Sequence, residues 1–151
     1  MDNIKTAGQA SQYVVVKIGN EQYGIDIKYV DNIVRMQRIT RVPKAQAYFY
    51  GVINIRGEII PVMSLRKKFD LTADEYTNST RILIIKIEPQ AAVGMIVDEV
   101  KEVITLENDS IDKVQNKAGD EKSIFLEGVG KYKDTLVSLL NIQTVILDKD
   151  R

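Results

Sequence analysis

Any reactive chemistry in this chain must come from carboxylates and cations. Among its 151 residues there is no Cys and no His. That removes disulfides, Cys/His metal centres, phosphohistidine transfer and every nucleophile that relies on a histidine base. Asp26, Asp31, Asp98, Glu99 and Glu102 are the candidates for acid/base work, which needs two carboxylates held close together. Asp26 and Asp98 occupy different places in the pattern described below, which favours strand-end or capping roles. Glu107, Asp109 and Asp112 are spaced like oxygen ligands, but the glycine and the terminal bidentate glutamate of a calcium loop are not in place. Gly128-Val129-Gly130-Lys131 extends to neither a dinucleotide fingerprint nor a P-loop. Arg66-Lys67-Lys68 is a short basic run of the kind expected on a solvated helix face. Tyr48-Phe49-Tyr50 could stack bases, but without a basic excess these rings are expected in the core.

Asn54, Arg56 and Gly57 stand apart, in the segment GVINIRGEIIPVMSLRKKF at 51–69. Val52, Ile53 and Ile55 form one arm of a hairpin, and Ile59, Ile60, Val62 and Met63 form the other. Arg56-Gly57 is the turn, because glycine takes φ > 0 without steric cost and a two-residue loop requires that. A guanidinium is thereby held at the tip of a stiff ribbon, a good place for recognition. By itself, an arginine in a turn is more often merely solvated.

The totals describe an ordinary globular chain. It is 44% apolar and 28% charged, with 21 cationic and 21 acidic residues. Zero net charge argues against nucleic acid or an anionic membrane as the main partner. No run of about 18 apolar residues exists to span a bilayer. MDNIKTAGQAS has no apolar stretch, so residues 1–11 are expected to be a disordered lead-in and not a signal peptide.

Strands are expected where β-branched residues gather, at 13–18, 23–27, 81–87, 92–97 and 135–140. Residues 19–22 turn the first pair. Tyr29, Val30 and Ile33, and later Val100 and Val103, have helical spacing and predict a turn or two of helix. Residues 34–42 are expected to be extended and 44–50 a short helix. Pro61 places its position at an edge or bulge. Ser64 can cap a short helix with Leu65 and Phe69 on one face. Residues 70–80 form the candidate linker, and 107–122 a long polar loop. Gly128-Val129-Gly130 is expected to turn. Asn141 can cap a terminal helix with Ile142, Val145 and Ile146 inward.

The two halves echo each other. YVVVKI at Tyr13 matches ILIIKI at Ile82, and YGIDIKYVDNI at Tyr23 matches VGMIVDEVKEV at Val93. Gly51-Val52 and EIIPVMSL match Gly128-Val129 and TLVSLLNI. The offsets are 69, 70 and 77, so one short insertion keeps the halves collinear. Each half holds about five short strands, which predicts two small barrels or curled sheets packed on their apolar faces, with a cleft between them. In this register Tyr132-Lys133 lies near the place of Arg56-Gly57, so the Arg-Gly tip is expected in the first half only. From the residues alone the chain is a binding module with an unnamed partner.

Taken in order, YGIDI, Val30 and Ile33, GVINIRGEIIPVMSLRKKF, VGMIVDEVKEVI and FLEGVGKYKDTLVSLLNI resemble the CheW family of chemotaxis coupling domains, from about Tyr13 to Leu147. The N-x-R-G-x-x-x-P-x-x-x-L-R portion is the most specific. The resemblance implies a mainly all-β fold over 12–151. Two five-stranded SH3-like β-barrel lobes would share a hydrophobic core, with short helices including a C-terminal one. It implies a cytoplasmic adaptor with no catalytic activity and no cofactor. Its partners would be the regulatory domain of the chemotaxis histidine kinase, at one lobe edge, and the cytoplasmic tip of methyl-accepting chemoreceptors, in the groove between lobes. No nucleic acid would bind and no segment would insert into the membrane. By position it implies partner contact for Arg56, with Asn54 and Gly57 beside it, for Ile59 on the hairpin, and for Val30 and Val100 near the groove. Ser64 departs from the pattern, since Asp is usual before Leu-Arg. The family domain also occurs fused to a receiver or to the kinase, and 151 residues favour the single-domain adaptor. The alternatives are a small β-barrel module for nucleic acid or carbohydrate, and a carboxylate hydrolase with a deep acidic cleft.

Overall fold

The computed structural model describes residues 9–72, 75–89, 91–113 and 124–147. Its strands are β1 (Ala10–Ile18), β2 (Glu21–Asp26), β3 (Val30–Arg35), β4 (Phe49–Ile55), β5 (Glu58–Ser64), β6 (Arg81–Glu88), β7 (Ala91–Val97), β8 (Glu99–Glu107), β9 (Asp112–Lys113), β10 (Leu126–Tyr132) and β11 (Thr135–Leu140). Helices α1 (Leu65–Lys68) and α2 (Ile142–Leu147) follow β5 and β11, and 3-10 turns lie at Ile27–Tyr29 and Asn108–Ser110.

The strands form two sheets, ordered β8-β1-β2-β11-β10-β9 and β3-β6-β7-β5-β4. The halves of the chain are not the sheets. The first sheet takes β1 and β2 from the first half and the rest from the second, and the second sheet does the reverse. The copies have exchanged strands, which corrects the expectation that each half forms its own lobe. The linker candidate at 70–80 separates the repeats but not the sheets. Of it, 73–74 lie outside the described residues, as do residues 1–8 of the lead-in and 114–122 of the polar loop. Ala10 already belongs to β1, two residues inside the expected lead-in.

Each sheet has a core of its own, and the two share a third. Val14, Val16 and Ile18 of β1 point to the shared core, where they meet Leu83 and Ile85 of β6, Met63 and Met95. Tyr13 and Val15 point the other way, to Ile104, Leu106, Val137 and Leu139. Ile82 and Ile84 do the same in the second sheet, meeting Ile53, Ile60, Val62 and Ile96. Burial on both faces explains why YVVVKI and ILIIKI are continuous apolar runs rather than alternating ones. A Cβ on Gly130 of β10 would meet Leu106 of β8 at 2.5 Å, so the first sheet curls until strands far apart in its order face each other.

The sheets are completed by two equivalent parallel pairings. Gly24 of β2 lies beside Leu139 of β11, and Gly94 of β7 beside Val62 of β5. Pro61 is at neither an edge nor a bulge, which corrects that expectation: β5 is an interior strand, and Pro61 sits just before the residues that pair with β7, so its missing N–H falls outside that ladder.

Four local expectations are corrected. The segments with helical spacing at 29–33 and 98–103 are mostly the strands β3 and β8, with only a 3-10 turn at Ile27–Tyr29. Residues 44–50 do not form a helix: turns lead directly into β4. Gly128-Val129-Gly130 lies inside β10, and the turn comes later, at Lys133-Asp134. The solvated face expected for the basic run of α1 is reduced to Lys67, the only one of the three that is exposed. Lys68 is only 2% exposed, with its ammonium 4.0 Å from the centre of the Tyr48 ring and 5.6 Å from that of Phe125. A four-residue helix lying on the shared core leaves little room for a wet side, and the lysine stem is itself apolar.

Candidate functional site

The β4–β5 hairpin builds the tip as its residues dictate. Ile55 pairs with Glu58, leaving Arg56 and Gly57 as the two central residues at φ 51° and 87°. Positive φ at both positions matches the right-handed twist of the flanking strands. The side-chain oxygen of Asn54 accepts the Gly57 N–H at 2.9 Å and fixes the turn. Asn54 therefore acts first on the backbone. Arg56 is exposed, and so is Ile59, with 60% of its surface free. Holding an arginine at positive φ costs about 1–2 kcal/mol relative to the ordinary region.

The same tip occurs again. Tyr132 pairs with Thr135, and Lys133 and Asp134 take φ 50° and 66°. Lys133 stands 77 residues after Arg56, at the same place in the repeat. The equivalence assigned above to Tyr132-Lys133 was one residue short, because the turn lies beyond the paired Tyr132. The tip is thus not confined to the first half. Its exposed aliphatic recurs too, since Leu136, 66% exposed, stands 77 residues after Ile59. Ile33 and Val103, 70 apart, are likewise both exposed. Each sheet therefore presents a cation and two aliphatics to solvent. Lys133, Leu136, Ile33 and Val103 were not among the sequence candidates, though adding the repeat offset to Ile59 and Arg56 would have found two of them.

Val30 and Val100 lie elsewhere. They are the first residue of β3 and the second of β8, are half-buried, and pack against the shared core together with Tyr29, Ile87 and Val93. They too are equivalent, 70 residues apart. The candidate site thus has two parts: Asn54, Arg56, Gly57 and Ile59 at a hairpin tip, and Val30 with Val100 on the rim between the sheets.

Four of the five candidate acids, all but Glu102, are engaged by cations or backbone N–H groups. Asp26 accepts the Lys28 N–H at 3.0 Å and caps the 3-10 turn. Asp31 lies 4.0 Å from the Lys86 ammonium, and Glu99 3.8 Å from that of Lys101. Asp98 accepts from Arg66 and from the Gly19 N–H at 2.8 Å. Burial opposes its ionisation, but those hydrogen bonds, with the charges of Arg66 and Lys17, hold its carboxyl below the usual range. Ser64 caps α1 as expected, its hydroxyl accepting the Lys67 N–H at 3.1 Å. Asn141 does the same for α2 through the Thr144 N–H at 3.2 Å.

Comparison with known proteins gives a consistent result. The family model described as "CheW-like domain" matches residues 12–150. The chain is 37% identical over 139 residues to a chemotaxis protein CheW of Helicobacter pylori, covering 92% of this chain and 82% of that one. It is 34% identical over 137 residues to a chemotaxis protein CheW of Bacillus subtilis, covering 91% and 86%. Among solved structures, the scaffolding protein TtCheW from Thermoanaerobacter tengcongensis superposes with a TM-score of 0.82 at 31% identity, over 92% of this chain and 94% of that one. On the strength of a match that spans both exchanged sheets, the chain belongs to the CheW-like domain family.

Proposed function

We propose that this chain is a non-enzymatic scaffold of bacterial chemotaxis that binds the cytoplasmic tip of chemoreceptors and the regulatory domain of the chemotaxis histidine kinase, and so couples the two. It works in the cytoplasm and reaches the membrane only through its partners. Among the described residues no helix is long and apolar enough to cross a bilayer. The observation that carries the proposal is the near full-length likeness to proteins named as chemotaxis CheW and as a scaffold. The geometry supports it in kind. A coupler needs more than one docking surface on a rigid body, and this fold offers a cation with exposed aliphatics on each of two sheets welded by a shared core.

The assignment of surfaces follows the same logic. The half-buried rim at Val30 and Val100 suits an apolar helix of the receptor. The tip at Arg56 and Ile59 suits a partner surface that pairs a carboxylate with an apolar side chain. Co-sedimentation of the purified chain with receptor fragments and kinase tests the proposal. The wild-type chain is expected to pellet with both and to raise kinase activity, and Arg56→Glu to weaken this while keeping the parent's melting curve. Kinase activation left intact by a folded Arg56→Glu would remove Arg56 from the site. Failure of the wild-type chain to pellet with either partner would refute the coupling role.

A further inference from the structure

The connection between β3 and β4 crosses back over the hairpin. Thr40 and Val52 exchange both backbone hydrogen bonds at 2.8 Å. This close approach needs Gly51, at φ 147°, because a Cβ there would run into the Thr40 carbonyl. The far end of the loop is fixed as well: the Phe49 N–H donates to the Gln46 carbonyl at 2.9 Å, and the Tyr48 hydroxyl donates to the Gln46 side chain at 2.9 Å. The loop is therefore a preformed structure. It encloses an open hollow of about 850 Å³ with Phe49, Tyr50 and Tyr76 among its walls and Arg38, Arg41 and Lys44 around it.

The charge of this hollow is unusual for the chain. Residues 35–50 hold four cations and no carboxylate, although the whole chain is neutral. No carboxylate is among the described lining residues, and Arg38, Arg41 and Lys44 form no ion pair with a described residue. The basic character is not inherited from the repeat. The equivalent connection, 108–125, which pairs with the second hairpin through β9, mixes the signs, with Asp109, Asp112, Asp120 and Glu121 against Lys113, Lys117 and Lys122.

We propose that this hollow binds an acidic peptide segment of a partner protein, anchored by an aromatic or aliphatic side chain between its carboxylates. The volume exceeds what a single ion needs and suits several side chains. The walls supply an apolar and aromatic seat, and the unpaired cations supply the complement for flanking carboxylates. A polyanion is a poorer match, since a neutral chain with one confined basic stretch lacks the extended track that a nucleic acid follows. Arg56 and Ile59 do not line the hollow, so it is independent of the tip described above.

Calorimetry on the full chain tests this with the end-blocked heptapeptide Asp-Glu-Asp-Phe-Leu-Asp-Glu. Saturable one-to-one binding is expected, weakening with added salt. The double variant Arg38→Glu with Arg41→Glu is expected to lose roughly tenfold or more in affinity. Both side chains are exposed, so its melting curve should match the parent's, which separates lost binding from lost fold. Replacing Phe-Leu in the peptide by Gly-Ser should weaken binding. No saturable binding at millimolar peptide, equal binding by the double variant, or equal binding of the Gly-Ser peptide would overturn the proposal. Two further results would also overturn it: a single-stranded oligonucleotide that outcompetes the peptide, or self-association of the chain that the peptide fails to reduce.

Discussion

Arg66 grips both oxygens of Asp98 from the other side of the sheet junction. Its Nε donates to Oδ1 at 2.9 Å and its Nη2 to Oδ2 at 2.7 Å. Arg66 lies in α1, at the end of the second sheet, and Asp98 is the residue at which the chain passes from β7 to β8, from one sheet to the other. The same carboxylate holds the Gly19 N–H in the β1–β2 turn. One side chain thus ties three segments across the junction. The pair breaks the internal symmetry, since the equivalent residues are Gln143 and Lys28.

Arg66→Ala is expected to destabilise the chain by about 1.5–3 kcal/mol at neutral pH, the range for hydrogen bonds to a charged group. Because the Asp98 carboxyl is held below its ordinary value of 3.8, its contribution is present above that value and fades as pH falls through the lower folded one. Urea melts from pH 7 to pH 2.5 should therefore show the two proteins converging in acid. A gap that stays constant with pH would place the effect in packing instead.

Arg56 sits where a hairpin prefers Asn or Gly. Arg56→Asn should relieve the positive-φ strain and raise stability by roughly 0.5–1 kcal/mol. The same variant should weaken partner binding in the sedimentation assay. Opposite signs in the two measurements are the signature of a residue kept for recognition, and a variant less stable than the parent would contradict the strain assigned here.

The two parallel junctions are equivalent in place but not in tolerance. A Cβ at Gly94 would come within 2.8 Å of Ile82 Cγ2, and one at Gly24 within 2.8 Å of Leu139 Cδ2. Cγ2 of isoleucine is fixed by its stiff χ1, whereas a leucine Cδ can swing, and the stiff Val137 Cγ1 beside Gly24 is farther off at 3.1 Å. Gly94→Ala should therefore cost more than Gly24→Ala, with both near the 1–3 kcal/mol of overpacked cores. Thermal melts of the two variants decide the order.

Gly51→Ala meets backbone instead of side chain. The Thr40 carbonyl cannot move aside without breaking both bonds to Val52. A loss of about 2–3 kcal/mol is expected. Faster hydrogen exchange at the Thr40 and Val52 amides than elsewhere in β4 would locate it.

Much of this was legible in the residues. The β-branched runs gave the strands, Arg56-Gly57 gave the turn, and Ser64 and Asn141 gave the caps. What hid β3 and β8 was a bulge in each. Pairing slips between Val30 and Asn32, and at the equivalent place opposite Val15 and Val16, so Asp31 and Lys101 are left over. One extra residue breaks a period of two and leaves apolar spacings that look helical. The β4–β5 and β10–β11 hairpins carry matching bulges, at Tyr50 and Glu127. Lys68 was misplaced for a different reason: charge suggests solvent, and only the fold shows two rings closing over the ammonium. The tip and the rim of the candidate site were named from the sequence, but the second tip was missed by one residue of register. The exchange of strands left no trace in the pattern, because duplicated halves offer each strand two chemically similar edges.

That exchange makes the molecule, in effect, a domain-swapped dimer fused through residues 70–80. Neither half can complete a sheet without the other, so no lobe can be excised and the two sheets should melt as one cooperative unit. Cutting the chain in that connection should yield fragments that are unstructured apart and reassemble when mixed. The duplication also provides a ready route from an ancestral homodimer to a single polypeptide, one in which each equivalent surface was then free to diverge.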